Sequence, residues 1–541
     1  MKLKILCIIL LANFVCIGSF AQPVIQAQKV LGGNNTDGFK VSLAVLENGG
    51  LVVGGASYSN KSGEKTQNIR GSNDYWIIKM NDNGKIDWDK TIGGIFDDNF
   101  KAVIQTSDGG YALIGESSSI TSVEKDEDSR GSTDYWIVKL DKKGNIQWNK
   151  TIGGSGTEYI DNIVQTGDDG YILAGSSDSY RSGEKSEDSR GFFDYWVVKL
   201  DKNGNIQWDK TIGGNDNEFL SGVELTSDGG VALSGFSISN ISGEKTENSR
   251  GDFDNWIVKL SKEGHIEWDK TIGGNGGEFG RGIKQTSDGG YLISGISNSN
   301  ISWEKTEDSR GFFDYWIVKL DKTGKFEKDK TIGGSGDDTE VWCLEKTSDG
   351  GYIFGGTSNS NISGEKTEDS RGDYDYWIVK LDRDLNIQWD KTIGGYGYDA
   401  LYAIKEVRKN YFAAGGLSWS DVGGDKTESS RGFADYWVVW LDGSGHHDNE
   451  HKNIIADTRK PEVRDSKMEK VFALYPIPAR NLVNVHINGS ATFTLTDQSG
   501  KTILNKLINT NGSINVSSFA AGTYYLKNNI TQEIKKIIVV K

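Results

Sequence analysis

Seven times along this 541-residue chain an arginine stands four residues before an aspartate and six before a tryptophan, in the phrase R-G-x-x-D-x-W. The pairs are Arg70 and Asp74, Arg130 and Asp134, Arg190 and Asp194, Arg250 and Asp254, Arg310 and Asp314, Arg371 and Asp375, and Arg431 and Asp435. A guanidinium and a carboxylate so spaced can form an ion pair, worth about 0–1 kcal/mol when exposed. Each pair is therefore read as a brace within its own loop. Just upstream of each lies an acid followed by lysine, and from that acid to the Asp of D-x-W the seven segments sum to −13 of the chain's formal −15. Such a face would take up cations or basic partners; alternatively its charges are solvated and keep the protein monomeric. Clustered carboxylates also suit calcium, but no D-x-D-x-D-G loop with a distant Glu is present. Paired carboxylates could cleave or eliminate a glycosidic bond, and here the sequence supplies the groups without their geometry.

Other catalytic chemistry is thin. No G-x-S-x-G elbow, H-E-x-x-H or P-loop occurs. His265 is the one histidine of the repeats, and Cys343 sits in the apolar run Val341-Trp342-Cys343-Leu344, where a buried, inert thiol is expected. The segment HHDNEH from His446 to His451 holds metal-type ligands but lies in a polar stretch that reads as linker. A single asymmetric ligand requires broken symmetry, so departures from the repeat are the better guide. Tyr58, Tyr180, Trp303 and Trp419 place aromatics near the loop starts where other copies carry small or polar residues. Exposed rings there suit sugars or protein partners; the plain alternative is that they pack into their own loops.

These residues hang on a repeat of about 60 residues running from about 29 to 445. In the copy that starts near Ile152, an apolar run at Ile163-Val164-Gln165 meets a D-D-G turn, which other copies write S-D-G-G. Tyr171–Gly175, Tyr195–Leu200 and Asn205–Thr211 come next as further strands, with a D-K-N-G turn between the last two. Four short strands with two tight hairpins are the content of a propeller blade. A polar stretch of about 16 residues joins strands two and three, longer than a passive connection needs. Alternation puts all of these stretches at one end. The last unit lacks its K-T-I-G-G strand, while a spare copy lies within Val24–Gly33. The simplest account is a seven-bladed β-propeller whose N-terminal strand completes the last blade; a β-solenoid is the rival. Twelve tryptophans, seven in D-x-W and five on the fourth strand (Trp88, Trp148, Trp208, Trp268, Trp389), are read as packing between blades, with Lys328 as a departure.

The ends differ from the middle. Residues 1–21 read as an export signal: Lys2 and Lys4, an apolar run, then Ser19-Phe20-Ala21 before a cut. A lipoprotein cut before Cys16 fits less well, because bulky Val15 precedes it. The predicted domains are the propeller at 22–445, a linker at 446–470 and a small β-sandwich at 471–541. No later run is long and apolar enough for a membrane helix. The acidic balance argues against nucleic acid, and a monomer is expected. In the last segment, Leu474-Tyr475-Pro476-Ile477-Pro478-Ala479 is followed by Leu482-Val483-Asn484-Val485, and later by Gly522-Thr523-Tyr524-Tyr525-Leu526 and Lys535-Lys536-Ile537-Ile538-Val539-Val540-Lys541. This resembles the type A C-terminal sorting domain of the bacterial type IX secretion system; the family's Asn between the prolines is here Ile477. The resemblance implies docking to that machinery, passage through the outer membrane, and removal of the domain with release or surface attachment of the cargo. The repeat part is similar to secreted repeat proteins that often accompany this signal. The expected function is that of an exported surface or secreted binding or adhesion protein for glycan or extracellular protein, with no cofactor. A polysaccharide-acting hydrolase or lyase and a purely structural surface component are the alternatives.

Overall fold

The computed structural model describes residues 22–446, 472–475, 482–529 and 534–540, so the expected leader, nearly all of the HHDNEH segment and linker, and Pro476 and Pro478 lie outside the described residues. The chain divides into two compact units, at Ala456 and Asp457.

In the first unit the repeats become seven four-stranded antiparallel sheets. One serves for all: Glu158–Gln165, Tyr171–Ser177, Asp194–Leu200 and Ile206–Ile212, paired in that order. The turn after each first strand needs a left-handed residue, supplied by Gly109 at φ +77° in the second sheet and by Asp169 at +62° in the third. The second and third strands are buried at every position in this sheet. Both their faces are covered by neighbouring sheets, which is why they read as near-continuous apolar runs.

The chain's beginning joins its end. Val24–Leu31 pairs antiparallel with Asp435–Asp442, placing Val30 opposite Trp437 and Leu31 opposite Tyr436. The N-terminal strand thereby caps what would be an open edge. It also reproduces the contacts of the fourth strands: Gln28 Oε1 accepts the Trp437 indole N–H at 3.1 Å, as Asp209 accepts that of Trp196 at 3.0 Å. The first strand of each sheet packs on that of the next, and Asp399–Arg408 of the seventh packs on Asp37–Val45 of the first. This is a propeller-like repeat architecture.

The D-x-W tryptophans are all fully buried between sheets, as their apolar bulk demands. Trp136 lies 5.0 Å from the ring of Tyr75, whose hydroxyl donates to the Trp136 carbonyl at 3.3 Å. Tyr436 makes the same contact to Trp76, at 5.1 Å and 3.2 Å, across the junction of seventh and first sheets. Fourth-strand Trp88 meets Tyr111 of the following sheet edge-on at 5.8 Å. Where Lys328 replaces such a tryptophan, its ammonium donates instead to the Asp384 carbonyl at 2.7 Å.

In the second unit the described strands join in one five-stranded antiparallel hydrogen-bonded sheet. Its long strands, Leu482–Asp497 and Thr502–Asn515, run through a register shift between His486 and Ser490, so both halves stay in one ladder. Val483, Phe493, Leu495, Ile508, Leu526 and Ile537 share its core.

Candidate functional site

The repeated loop residues do not act as the sequence suggested. Each arginine reaches past its own loop to the acid of the following sheet's E-K or D-K pair: Arg70 to Glu124 at 2.7 Å, Arg190 to Glu244 at 2.6 Å, Arg371 to Asp425 at 2.8 Å and, from last sheet to first, Arg431 to Glu64 at 2.7 Å. Arg70 and Asp74 approach only to 3.6 Å, and Arg190 and Asp194 to 4.0 Å. The aspartate is needed elsewhere: it is fully buried and accepts its arginine's backbone N–H, as Asp134 does at 2.5 Å. Many acids of the supposedly cation-binding face are thus paired internally. Among the described residues no group of three His, Cys, Asp or Glu side chains is gathered as a metal site.

Behind each loop lies a charged cluster that sequence reasoning missed. The lysine of the acid-lysine pair is buried in all seven loops. Lys65 donates to Thr91 Oγ1 at 2.6 Å and Lys366 to Thr392 Oγ1 at 2.6 Å; Lys426 turns to Ser418 Oγ, also at 2.6 Å. Burial pushes the Lys65 ammonium down to about 8, against the pull of Asp37 and Asp74. The D-x-W aspartate faces the acid that opens the next sheet's first strand, giving seven buried carboxyl pairs such as Asp134 with Glu158 and Asp435 with Asp37. Burial raises one member of each pair strongly: Asp134, Glu218, Asp254, Asp375 and Asp435 to about 7, Asp98 and Asp314 to about 6. The double glycine of K-T-I-G-G makes room for this: a Cβ on Gly153 would lie 2.1 Å from Asp134 Oδ1.

The repeat departs from itself where the first strands converge. They line a common cavity of about 320 Å³, into which the seven sheets send Lys40, Lys101, Asp161, Ser221, Arg281, Trp342 and Tyr402. One layer deeper, Glu224, Lys284, Glu345 and Lys405 alternate in charge, with Lys284 at 3.4 Å from Glu224 and 3.6 Å from Glu345. The first strands of the first and sixth sheets are each one residue longer than that of the second: Asp37 to Leu46 and Asp338 to Thr347 span nine steps, Asp98 to Thr106 eight. Within the extra turn of chain, Lys40 and Glu340 both adopt φ +56°. Left-handed conformations cost non-glycine residues about 1–2 kcal/mol, and bulges of this kind re-aim side chains. Lys40 Nζ lies 2.9 Å from the Trp342 ring centroid, and the Arg281 guanidinium carbon lies 4.2 Å from it. Burial drives Lys40 down to about 7, opposed by Asp161 and helped by Lys101 and Arg281. Glu340 accepts from the Tyr398 hydroxyl at 3.2 Å, and Lys101 pairs with Glu116 at 2.8 Å. A second cavity of about 300 Å³ opens beside these groups, lined by Phe39, Lys40, Tyr58, Asn99, Lys101 and Glu116 among others.

Two of the four aromatic departures join this mouth. Tyr58 meets Phe39 edge-on at 6.2 Å, and Trp419, 50% exposed, lies 5.6 Å from Tyr398. Tyr180 and Trp303 project from other loops, 67% and 72% exposed. Trp303 stands at φ +51°, where five other loops carry glycine at +54° to +56°, and lies 5.5 Å from the Arg250 guanidinium. Cys343 is buried and its thiol is pushed up to about 12.

At the far end of the chain, Tyr475 closes the short strand Phe472–Tyr475, and Gly522, Tyr524, Lys535 and Lys536 lie in the last hairpin, with Gly522 opposite Val539 and Tyr525 opposite Lys536. Residues 473–541 match the family described as secretion system C-terminal sorting domain. The chain carries a type IX sorting domain. It is therefore an exported protein, delivered to the cell surface or beyond by the type IX machinery, which recognises this domain. Among the described residues no helix is long and apolar enough to cross a membrane.

The chain is 24% identical over 402 residues to the regulatory protein FlaEY of Caulobacter vibrioides, a match covering 68% of this chain and 41% of that protein. Among solved structures, a protein of unknown function from Dyadobacter fermentans is 10% identical over 78% of this chain and 99% of its own, with a TM-score of 0.42. The Neurospora crassa Pan2 WD40 domain is 8% identical over 78% and 97%, with a TM-score of 0.39.

Proposed function

We propose that residues 22–445 form a closed seven-bladed propeller that works outside the cell as a non-catalytic binding module. The binding site is the mouth of its central channel on the long-loop side. One observation carries this reading. The third and fourth strands repeat almost residue for residue, while the first strands place a different chemistry on nearly every blade around the mouth, including two left-handed charged residues. A symmetric frame with one asymmetric end is what a single asymmetric ligand requires. Glu116 is held by a lysine and Glu340 by a phenol and a hydroxyl, while Asp161 faces the cations Lys40, Lys101 and Arg281, an arrangement that balances charge rather than freeing a proton donor.

The test is a screen of the full chain against glycan and extracellular-protein arrays, with and without calcium, repeated with Lys40→Met and Tyr58→Ser. Hits lost in both variants at unchanged thermal stability support the mouth as the site. Hits that survive both, and also survive Phe219→Asn in the first strand of the fourth sheet, place binding elsewhere and refute the reading.

A further inference from the structure

We propose that the mouth, on blades three to five, docks an extracellular polypeptide through an apolar projection flanked by basic residues; this rests on the reading of the mouth as the binding site. On that side eight rings run in unbroken contact. Tyr159 stacks on Phe193 at 5.3 Å, Phe193 meets Phe219 at 5.3 Å, and Phe219 meets Phe236 at 5.5 Å. Phe236 touches Phe253 and Phe279, at 5.4 and 5.1 Å, and Phe279 reaches Phe313 at 5.8 Å, beside Phe312 at 5.0 Å. The arc is open to solvent: Tyr159 and Phe312 are 40% and 69% exposed, and most of the others are half-buried.

The fold does not demand these phenyls. Phe193, Phe253 and Phe313 stand where the first two blades carry Asn73 and Thr133. Phe219 and Phe279 stand where blade two carries Asn99, and Phe236 where it carries Glu116. Polar residues are thus tolerated at all three positions, and the continuous run of phenyls is confined to one side. An exposed, contiguous apolar patch on an exported protein marks an interaction surface.

Its chemistry narrows the occupant. Phenyl rings offer no hydrogen bonds, and the tilted and edge-on rings of the arc present no flat platform on which the C–H face of a sugar could stack. The phenyls of the arc line neither cavity at the mouth, so they do not enclose a buried acyl chain. An open aromatic surface is instead what projecting side chains of a protein partner cover. Asp216 and exposed Asp252 flank it, each next to an arc strand, and the chain carries a net −15, so a basic surround on the partner is favoured.

The experiment pans a phage-displayed library of random linear peptides against the full chain. It compares wild type with Phe219→Asn/Phe253→Thr, which installs residues that blade two already uses, with Phe193→Thr as an independent arc variant, and with Tyr58→Ser on the opposite side of the mouth. Support requires enriched peptides with an apolar residue between Lys or Arg, bound at least ~10-fold more weakly by the arc variants and unchanged by Tyr58→Ser. Equal enrichment on wild type and the arc variants, or none, overturns the proposal. Binding lost only with Tyr58→Ser overturns it while leaving the mouth as the site; binding insensitive to every variant overturns both readings. Self-association of the chain abolished by the arc variants would assign the surface to a second copy and overturn it as well.

Discussion

Stability should fall as pH rises from 5 to 7, and the buried carboxyl pairs set the size of the effect. At each inter-sheet junction two carboxyls are buried together, and one is held protonated to about 6 or 7 by desolvation and by its neighbour's charge. Six of the seven junctions carry an Oδ1 with no partner, such as those of Asp134, Asp254 and Asp314, as expected where a shared proton completes the pair. Unfolded, these groups lose their protons near pH 4. Between about pH 4 and 7 the folded state therefore binds more protons than the unfolded one, and stability is lost as pH rises through the folded values. Each junction contributes a slope approaching 1.4 kcal/mol per pH unit, or on the order of 2 kcal/mol between pH 5 and 7. Asp108, Asp168, Asp228 and Asp288, lowered to about 2, and Lys125 and Lys366, lowered to about 8, lie outside that window, while Lys40, at about 7, stands at its upper edge. Urea unfolding at fixed ionic strength from pH 5 to 8 measures the slope. Asp134→Asn keeps an acceptor for the Arg130 N–H and gives Glu158 a permanent donor, so it should make the slope shallower by about one junction and gain on wild type at pH 8. A flat wild-type profile, or a variant as steep as wild type, would refute the shared protons.

Single positions carry further expected outcomes. Trp303→Gly should raise stability by about 1 kcal/mol in thermal unfolding, because it relieves a left-handed tryptophan at φ +51° at the loss of a weak contact with Arg250. Asn255, alone among the seven D-x-W middle positions in not being tyrosine, is buried with both amide atoms unpartnered, and Gly280 beside it stands where the second sheet packs Phe100 against Tyr75. Asn255→Tyr should gain about 1–2 kcal/mol in the same assay. Gln28→Ala should cost about 1–3 kcal/mol by removing the acceptor of the Trp437 indole and Thr427 amide, and deletion of Val24–Leu31 should leave the seventh sheet open to protease. Arg130→Met should cost no more than about 1 kcal/mol, since its pair with Glu184 is part-exposed; 0.5 M salt should shrink that difference.

Sheets and junction strand were legible because short-range signals fix them: apolar runs, glycine at left-handed turns, and the spare K-V-L-G-G copy near the N-terminus. The partners of the loop charges were not, because they lie far off in sequence. Arg70 meets Glu124, 54 residues on, and nothing in R-G-x-x-D prefers that acid to Asp74. The buried lysines were illegible for a similar reason: Lys125 in V-E-K-D reads as surface charge until two sheets close over it. The mouth had a signal that could have been read. The one-residue excess in two first strands and the run of Phe at positions 193, 219, 253 and 279 stand in the sequence, and aligning the copies by their inner strands rather than their loops would have exposed them.

That contrast bears on how the protein divides its work. Inter-sheet contacts are made by residues that recur in nearly every copy: the tryptophan, its tyrosine, the carboxyl pair, the lysine and the arginine that reaches the next loop. Because each of these touches the neighbouring sheet, a change in one copy disturbs a junction, and copies cannot drift apart there without loss of packing. The first strands' channel-facing side chains meet space rather than a neighbour's core, so they vary at little cost. Lys40 and Glu340 go further, holding left-handed backbone that a purely structural strand would have no reason to keep. The prediction is asymmetric: deleting Val41, which aligns Phe39 and Lys40 with Phe100 and Lys101 of the second sheet, should leave thermal stability equal or higher and abolish binding at the mouth. A loss of stability without loss of binding would mean that the bulge serves the ring and not the ligand.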